Sequence, residues 1–152
     1  MVNIHIRPAE ETDLPELYVL VKGYLDFYNR PEMPEQQIKD AIIHLIHHPE
    51  DGTQLVAEVD GKLIGFTTLN PLWSTTRMQK IGLLNDLFVD PEQRVNGAGK
   101  QLMEATIQLA KDKGYPLMRL LTAADNVIAQ KLYDKTGGNA PGWKVYDYDL
   151  SK

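Results

Sequence analysis

The stretch from Gln79 to Met103 constrains the fold more than any other part of the chain. An apolar, β-rich run from about Gln79 to Val89 gives way to a short polar turn, Asp90-Pro91-Glu92-Gln93-Arg94-Val95-Asn96. Two glycines, Gly97 and Gly99, then stand at the mouth of an amphipathic helix. Strand, tight loop and helix N-terminus make an anion-binding arrangement. The first backbone N–H groups of a helix have no intrahelical partner, and the helix dipole places partial positive charge at the same end. Glycines there carry no Cβ, so backbone can approach a phosphate closely.

Along the strand, Ile81, Leu83, Leu87 and Val89 are expected on one face and Leu84 and Phe88 on the other. A strand apolar on both faces is usually central and covered on both sides. Asn85 and Asp86 interrupt the pattern. An unpaired polar group in such a place costs roughly 1 to 3 kcal/mol, so the fold must satisfy them.

The chain has 152 residues, which suits one domain spanning 1–152 with a core of its own. Cysteine is absent, which removes disulfides, thiolate metal sites and a thiol nucleophile. The N-terminus shows no basic segment leading into an apolar core, and no apolar run approaches the length of a bilayer span, so a cytoplasmic protein without membrane insertion is expected. A net charge of -5 offers no basic stripe for nucleic acid and would favour a small cationic partner.

In chain order, Ile4 and Ile6 alternate with polar neighbours up to Pro8, a short strand. Asp13 with Glu16 resembles a capping box, and Leu14, Leu17, Tyr18, Val21, Leu25 and Tyr28 follow at helical spacing, predicting a helix from about Leu14 to Tyr28. Ile38, Ala41, Ile42, Leu45 and Ile46 form a second helical face that stops before Pro49. Two strands, Leu55 to Val59 and Leu63 to Leu69, flank Asp60-Gly61, a dipeptide suited to a type I′ turn. Asn70 to Arg77 is expected as a loop carrying Trp73.

The helix after the glycines turns Leu102, Met103, Thr106, Leu109 and Ala110 inward and ends at Gly114. Pro116 to Leu121 reads as a strand, and Asp125-Asn126 opens a helix with Ile128, Ala129, Leu132 and Tyr133 inward. Trp143 to Leu150 alternates with period two and is expected as a closing strand. The order β-α-α-β-β-β-α-β-α-β predicts an α/β chain with a mixed sheet and helices on both faces.

The glycine loop does not fit the common nucleotide motifs. A P-loop requires Ser or Thr after Gly99-Lys100, where Gln101 stands, and a glycine five places before Gly99; a dinucleotide fingerprint requires a third glycine where Leu102 stands. The pattern that does match is R-x-x-G-x-G, Arg94-Val95-Asn96-Gly97-Ala98-Gly99, directly after a strand ending Leu-Phe-Val-Asp-Pro. It resembles the acyl-CoA motif of the GNAT superfamily of N-acetyltransferases. Asn126-Val127-Ile128-Ala129-Gln130-Lys131-Leu132-Tyr133 further along is similar to the second hallmark, N-x-x-A-x-x-L-Y. Leu84 to Asp90, the glycines and the Trp143 to Tyr148 tail are similar to a branch with fungal histone and polyamine acetyltransferases and bacterial relatives.

The resemblance implies a mostly antiparallel, twisted mixed sheet flanked by helices, and acetyl-CoA as co-substrate with no metal. It implies that amides of Arg94, Val95, Asn96, Gly97, Ala98, Gly99 and Lys100 receive the pyrophosphate. Main-chain groups of Leu87, Phe88 and Val89 would bond the pantetheine arm as an added strand would. One such amide could polarise the acetyl carbonyl. Val95 stands where glycine is frequent. Asn126 would contact the cofactor. Tyr133, beside the sulfur, would protonate the departing thiolate, with a core tyrosine as the structural alternative.

The acceptor amine must lose a proton. For an amine of pKa about 10.4, the neutral fraction near neutral pH is roughly one in a thousand, a cost of about 4 kcal/mol. Asp86, the carboxylate embedded in the central strand, is the candidate base, and burial would raise its pKa. It would otherwise serve to fix the strand. Tyr28 and Trp73, with Tyr24 and Trp143, could wall an acceptor pocket or belong to core or dimer contacts. Asp26, Glu32 and Asp90 could attract a cationic acceptor.

His44 and His48, four apart with His47 between, lack a following Glu and a third ligand and read as a solvated helix face. The expected activity is direct acetyl transfer to a small-molecule or peptide amine in a ternary complex, by a homodimer with Trp143 to Leu150 as a contact. The alternative is a non-catalytic acyl-CoA-binding or sensing module.

Overall fold

The computed structural model describes residues 2–93 and 97–151. The element order is β1 (His5–Pro8), α1 (Leu14–Phe27), α2 (Glu35–His47), β2 (Thr53–Val59), β3 (Lys62–Ser74), β4 (Gln79–Val89), α3 (Ala98–Asp112), β5 (Met118–Leu120) and α4 (Val127–Lys135). The strands form one sheet in the order β1-β2-β3-β4-β5. The first four are mutually antiparallel, and β5 joins β4 in parallel. This is the mixed sheet that the element order predicts and the mostly antiparallel one that the family resemblance implies.

Two apolar layers cover the sheet. Leu17 and Leu20 of α1 and Ile38 and Ile42 of α2 are buried with Val56, Leu63 and Phe66 on one face. On the other face Ala98 and Leu102 of α3 pack with Ala57 and Ile64. The Thr106 hydroxyl of α3 meets that of Thr67 at 2.8 Å, which satisfies two buried polar groups between helix and sheet. In the β2–β3 turn Asp60 has φ 50° and Gly61 φ 78°, the pair of left-handed residues that a type I′ hairpin requires.

The start of α1 differs from the expected capping box. Asp13 accepts from Glu10 N–H at 2.7 Å within a 3-10 turn and holds Arg7 through two bonds of 2.7 and 2.8 Å. Glu16 instead reaches across to the hairpin, where its carboxylate accepts from Leu63 N–H at 2.9 Å.

Three further expectations are corrected. Trp73 lies in β3 opposite Lys80, because β3 and β4 keep pairing as far as Ser74 and Gln79. Ile128 is 80% exposed on α4, since that helix has only one flank against the body of the protein. Trp143 to Leu150 forms no strand: Trp143, Tyr146, Tyr148 and Leu150 stand exposed without a strand partner among the described residues. His44 and His47 of α2 and His48 just after it are exposed and lie beside Asp51, Glu11 and Glu50, respectively.

Candidate active site

β4 and β5 run side by side only from Gly82, opposite Met118, to Leu84, opposite Leu120. β5 ends there, at Leu120, while β4 runs on, paired to β3 as far as Val89, opposite Gly65, and with no strand on its other side among the described residues. Asp90 N–H donates to the Ile64 carbonyl at 2.8 Å, so the peptide groups of Asp90 and, two residues back, Phe88 face β3. By the alternation of an antiparallel ladder, those of Leu87 and Val89 face the gap left by β5. The three expected main-chain contacts therefore divide. Leu87 and Val89 offer donors and acceptors to the gap, whereas Phe88 spends its own on β3 and sends its ring into the layer of Tyr24 and Phe66.

The gap leads to the start of α3. Gly97 is the N-cap, with φ +88°, and a Cβ there would meet no described residue within 4 Å, so the left-handed backbone itself calls for glycine. A Cβ at Gly99 would make only ordinary contact, 3.7 Å from Leu132 Cδ2. The N–H groups of Ala98, Gly99 and Lys100 precede the first α-helical bond, Gln101 N–H to Gly97 carbonyl at 3.0 Å, and are the donors that a helix leaves open. The Ala98 side chain is buried in the core, and Lys100 is exposed with Nζ 3.7 Å from Glu104 Oε1. Arg94, Val95 and Asn96 lie outside the described residues. An open strand edge running into a helix N-terminus fits an acyl carrier with an amide-bearing arm and a pyrophosphate.

A bulge decides where Asp86 points. Thr68 pairs with Asp86 and Leu69 with Leu84, leaving Asn85 as an extra residue in β4. The extra residue reverses the alternation. Leu84, Leu87 and Val89 share the α3 face, while Ile81, Leu83, Asp86 and Phe88 share the α1 face, which corrects the simple odd-even assignment of the sequence. Asn85 is exposed and donates through Nδ2 to Asn70 Oδ1 at 3.3 Å. Asp86 turns in, half-buried, under α1.

Burial pushes the Asp86 carboxyl above the usual carboxylate range, and hydrogen bonding by the Thr68 and Tyr24 hydroxyls opposes part of that shift. Burial, with the Asp86 charge second, raises the Tyr24 phenol well above its ordinary value. Tyr28, one turn further along α1, holds its ring centroid 5.0 Å from that of Tyr24. Tyr133 of α4 is half-buried; burial and then Tyr28 raise its phenol too, so it keeps its proton at neutral pH.

Asp86, Tyr28 and Tyr133 are thus brought to one region, joined by Tyr24, which the sequence offers only as a wall residue. Its signal was the spacing of Tyr24 and Tyr28, four apart on one helical face. Asn126 serves as the N-cap of α4, accepting from Ala129 N–H through Oδ1 at 3.2 Å. Trp73 is not part of the cluster. It stands five positions beyond Thr68 along β3, about 16 Å at the usual strand rise, and on the opposite face. Asp26 faces Lys22 at 3.3 Å, and Asp90 accepts from Glu92 N–H at 3.0 Å; both line a groove of about 410 Å³ between α1 and the end of β4. Among the described residues no three His, Asp or Glu side chains converge as metal ligands.

Comparison with known proteins agrees with this geometry. The Acetyltransferase (GNAT) family matches residues 14–138. An uncharacterized N-acetyltransferase of Bacillus subtilis, YhfO, is 34% identical over 134 residues, covering 88% of this chain and 89% of its own. An uncharacterized N-acetyltransferase of Archaeoglobus fulgidus is 30% identical, covering 86% and 89%. The crystal structure of a probable acetyltransferase superposes with a TM-score of 0.87 at 26% identity, covering 97% of this chain and 99% of that one. The aminoglycoside N-acetyltransferase AAC(6')-Iy in complex with CoA shares the fold, with a TM-score of 0.84 at 22% identity and coverage of 99% and 97%. The match spans both halves of the open strand edge and both helices that border it, and the chain belongs to the GNAT family of acetyltransferases.

Proposed function

We propose that the protein transfers the acetyl group of acetyl-CoA to a primary amine, carried by a small molecule or a peptide, by direct attack in a ternary complex. The observation that carries this reading is the bulge at Asn85, which turns one carboxylate inward beside the stretch of β4 that β5 leaves unpaired. Leu87 and Val89 would hold the pantetheine arm along that edge, and the amides of Ala98, Gly99 and Lys100 the pyrophosphate. Acetyl-CoA supplies the activated acyl group. Asp86 accepts the amine proton through a carboxylate oxygen, directly or through one water, and its raised pKa makes it a better base than an exposed carboxylate. The Tyr133 hydroxyl, protonated at neutral pH, donates to the departing sulfur.

Tyr24 and Tyr28 give the acceptor an aromatic wall beside one negative charge, which suits an alkylammonium entering as the cation and losing its proton inside. The CoA complex of the aminoglycoside enzyme of like fold supports the choice of acyl carrier.

Calorimetry is expected to give micromolar binding of acetyl-CoA, and thiol release over a panel of polyamines, amino acids, aminoglycosides and lysine peptides, read by mass spectrometry, should identify the acceptor. Tyr133→Phe is expected to lower kcat by about a hundredfold with acetyl-CoA affinity kept. Absence of acetyl-CoA binding would overturn the proposal, while full turnover by Tyr133→Phe would remove only the acid role.

A further inference from the structure

A row of polar side chains crosses three strands at Asp86. Gln54 of β2 pairs with Thr68 of β3, and Thr68 with Asp86 of β4, so the three stand side by side on the α1 face. Gln54 is 8% and Thr68 4% exposed. Gln54 Nε2 donates to Thr68 Oγ1 at 3.1 Å. A threonine hydroxyl has a single proton. With the Gln54 amide giving the bond that Oγ1 accepts, that proton is left for the neighbour on the other side, the Asp86 carboxyl. Gln54 Oε1 is fully buried with no hydrogen-bond partner among the described residues. An apolar β-branched residue would fill this strand position without that penalty. The amide therefore needs a reason other than packing.

We infer that Gln54 and Thr68 are positioning residues that hold the Asp86 carboxyl in both of its charge states. With Asp86 ionised, the row runs from Gln54 N–H to Thr68 Oγ1 and from Thr68 O–H to the carboxylate. Once Asp86 has taken the amine proton, its O–H donates to Thr68 Oγ1, and Thr68 O–H donates to Gln54 Oε1 after a half-turn of the amide. The transferred proton stays on Asp86, no covalent bond changes in the row, and only the direction of donation reverses. A carboxamide offers a donor and an acceptor on one neutral group, and a half-turn exchanges them. Because no described residue holds Oε1, the half-turn breaks no hydrogen bond among them except the one it remakes.

The inference rests on the reading of Asp86 as proton acceptor. Among the described residues, the titratable and charged groups around Asp86 are Tyr24 of α1, with Tyr28 and Arg30 beyond it, and Tyr133 of α4 beside Tyr28. β2 and β3 contribute Gln54 and Thr68, which do not titrate in this range.

The test is a carbon-13 NMR titration of the Asp86 carboxyl in the full chain, which needs no acceptor. Thr68→Val removes a charge-assisted bond from the ionised carboxylate and only a weaker neutral one from the protonated carboxyl, so it is expected to raise the Asp86 midpoint by about one pH unit. Thr68→Ser keeps the hydroxyl and should leave the midpoint near that of the natural protein. Gln54→Met frees the Thr68 proton from its orientation and should move the midpoint the same way by less. A role confined to packing would lower the melting temperature without moving the midpoint. An unmoved midpoint in folded Thr68→Val overturns the inference, and if that variant fails to fold, an unmoved midpoint in Gln54→Met does so. Failure of the underlying reading looks different: Asp86→Asn would then keep natural turnover in the amine panel, whatever the NMR midpoints show.

Discussion

Asp86 and Asp13 carry the same functional group with opposite consequences for stability. Asp13 is 6% exposed and forms two bonds to Arg7, whose hydrogen bonds pull its pKa down. A depressed folded pKa contributes stability above the unfolded value, lost as pH falls through the folded one. Asp86 makes no salt bridge among the described residues, and burial raises its pKa. A raised folded pKa means the native state binds the proton more tightly than the unfolded chain; the associated stability is full below the unfolded pKa and lost as pH rises through the folded value. At neutral pH the charged Asp86 therefore weighs against the fold. Asp86→Asn is expected to raise the melting temperature at pH 7 while abolishing most turnover, and the gain should shrink as the pH is lowered through the carboxylate range. Asp13→Asn should do the reverse, with a loss of about 2 kcal/mol at pH 7 that diminishes in acid. Thermal unfolding across pH reads both, and a lower melting temperature for Asp86→Asn at pH 7 would contradict the burial argument. The position of Asp86 was legible as a polar break in an apolar strand. Its direction was not, because a bulge is fixed by pairing with β3 and leaves no mark in the period of β4 itself.

At the scale of elements, the legible parts are those whose signal is local. Asp60-Gly61 specifies its turn by backbone preference alone, and Leu102, Met103, Thr106 and Ala110 mark the inner face of α3 by spacing. The parts that were misread depend on a neighbour. Trp73 looks like loop after Asn70-Pro71, yet β4 supplies a partner for every residue of β3 from Asn70 to Ser74. The same dependence makes Gly65 a sensitive position. It sits across from Val89 at the end of the open edge, and a Cβ there would lie 2.7 Å from the Phe88 carbonyl oxygen and 3.2 Å from Leu102 Cδ1. Neither neighbour yields easily, since one is backbone and the other is fully buried at 0% exposure. Gly65→Ala is expected to cost about 1 to 3 kcal/mol and, by moving β4 against α3, to weaken acetyl-CoA binding more than the stability loss alone explains. Urea unfolding and calorimetry on one preparation separate the two effects. Unchanged acetyl-CoA affinity in a destabilised variant would show that the strand edge does not have to be held so closely.

At the scale of the molecule, the misread tail is the informative part. Trp143, Val145, Tyr146, Tyr148 and Leu150 alternate as a strand would, and a strand forms only against another strand. β5 is the last strand of the sheet, so its outer edge has no strand partner among the described residues. Tyr148 and Leu150 are 83% and 89% exposed, more apolar side chain than a lone chain usually leaves in water so close together. A second copy of the chain can supply what the single chain lacks, with the tail of one molecule pairing against its partner. α4, which carries Tyr133, has no fully buried residue and leads directly into this tail, so the same pairing would fix the acid against the rest of the site. Light scattering is expected to give about twice 17.2 kDa, with a melting temperature that rises with protein concentration. A chain ending before Gly142 should run as a monomer and lose turnover while keeping most of its acetyl-CoA affinity, because the amides proposed to receive the pyrophosphate belong to α3 and not to α4. A full-length chain that scatters as a monomer would leave the tail without this partner, and a shortened chain that stays dimeric would move the contact elsewhere, to the exposed Leu72, Trp73 and Met78 at the end of the β3–β4 arm.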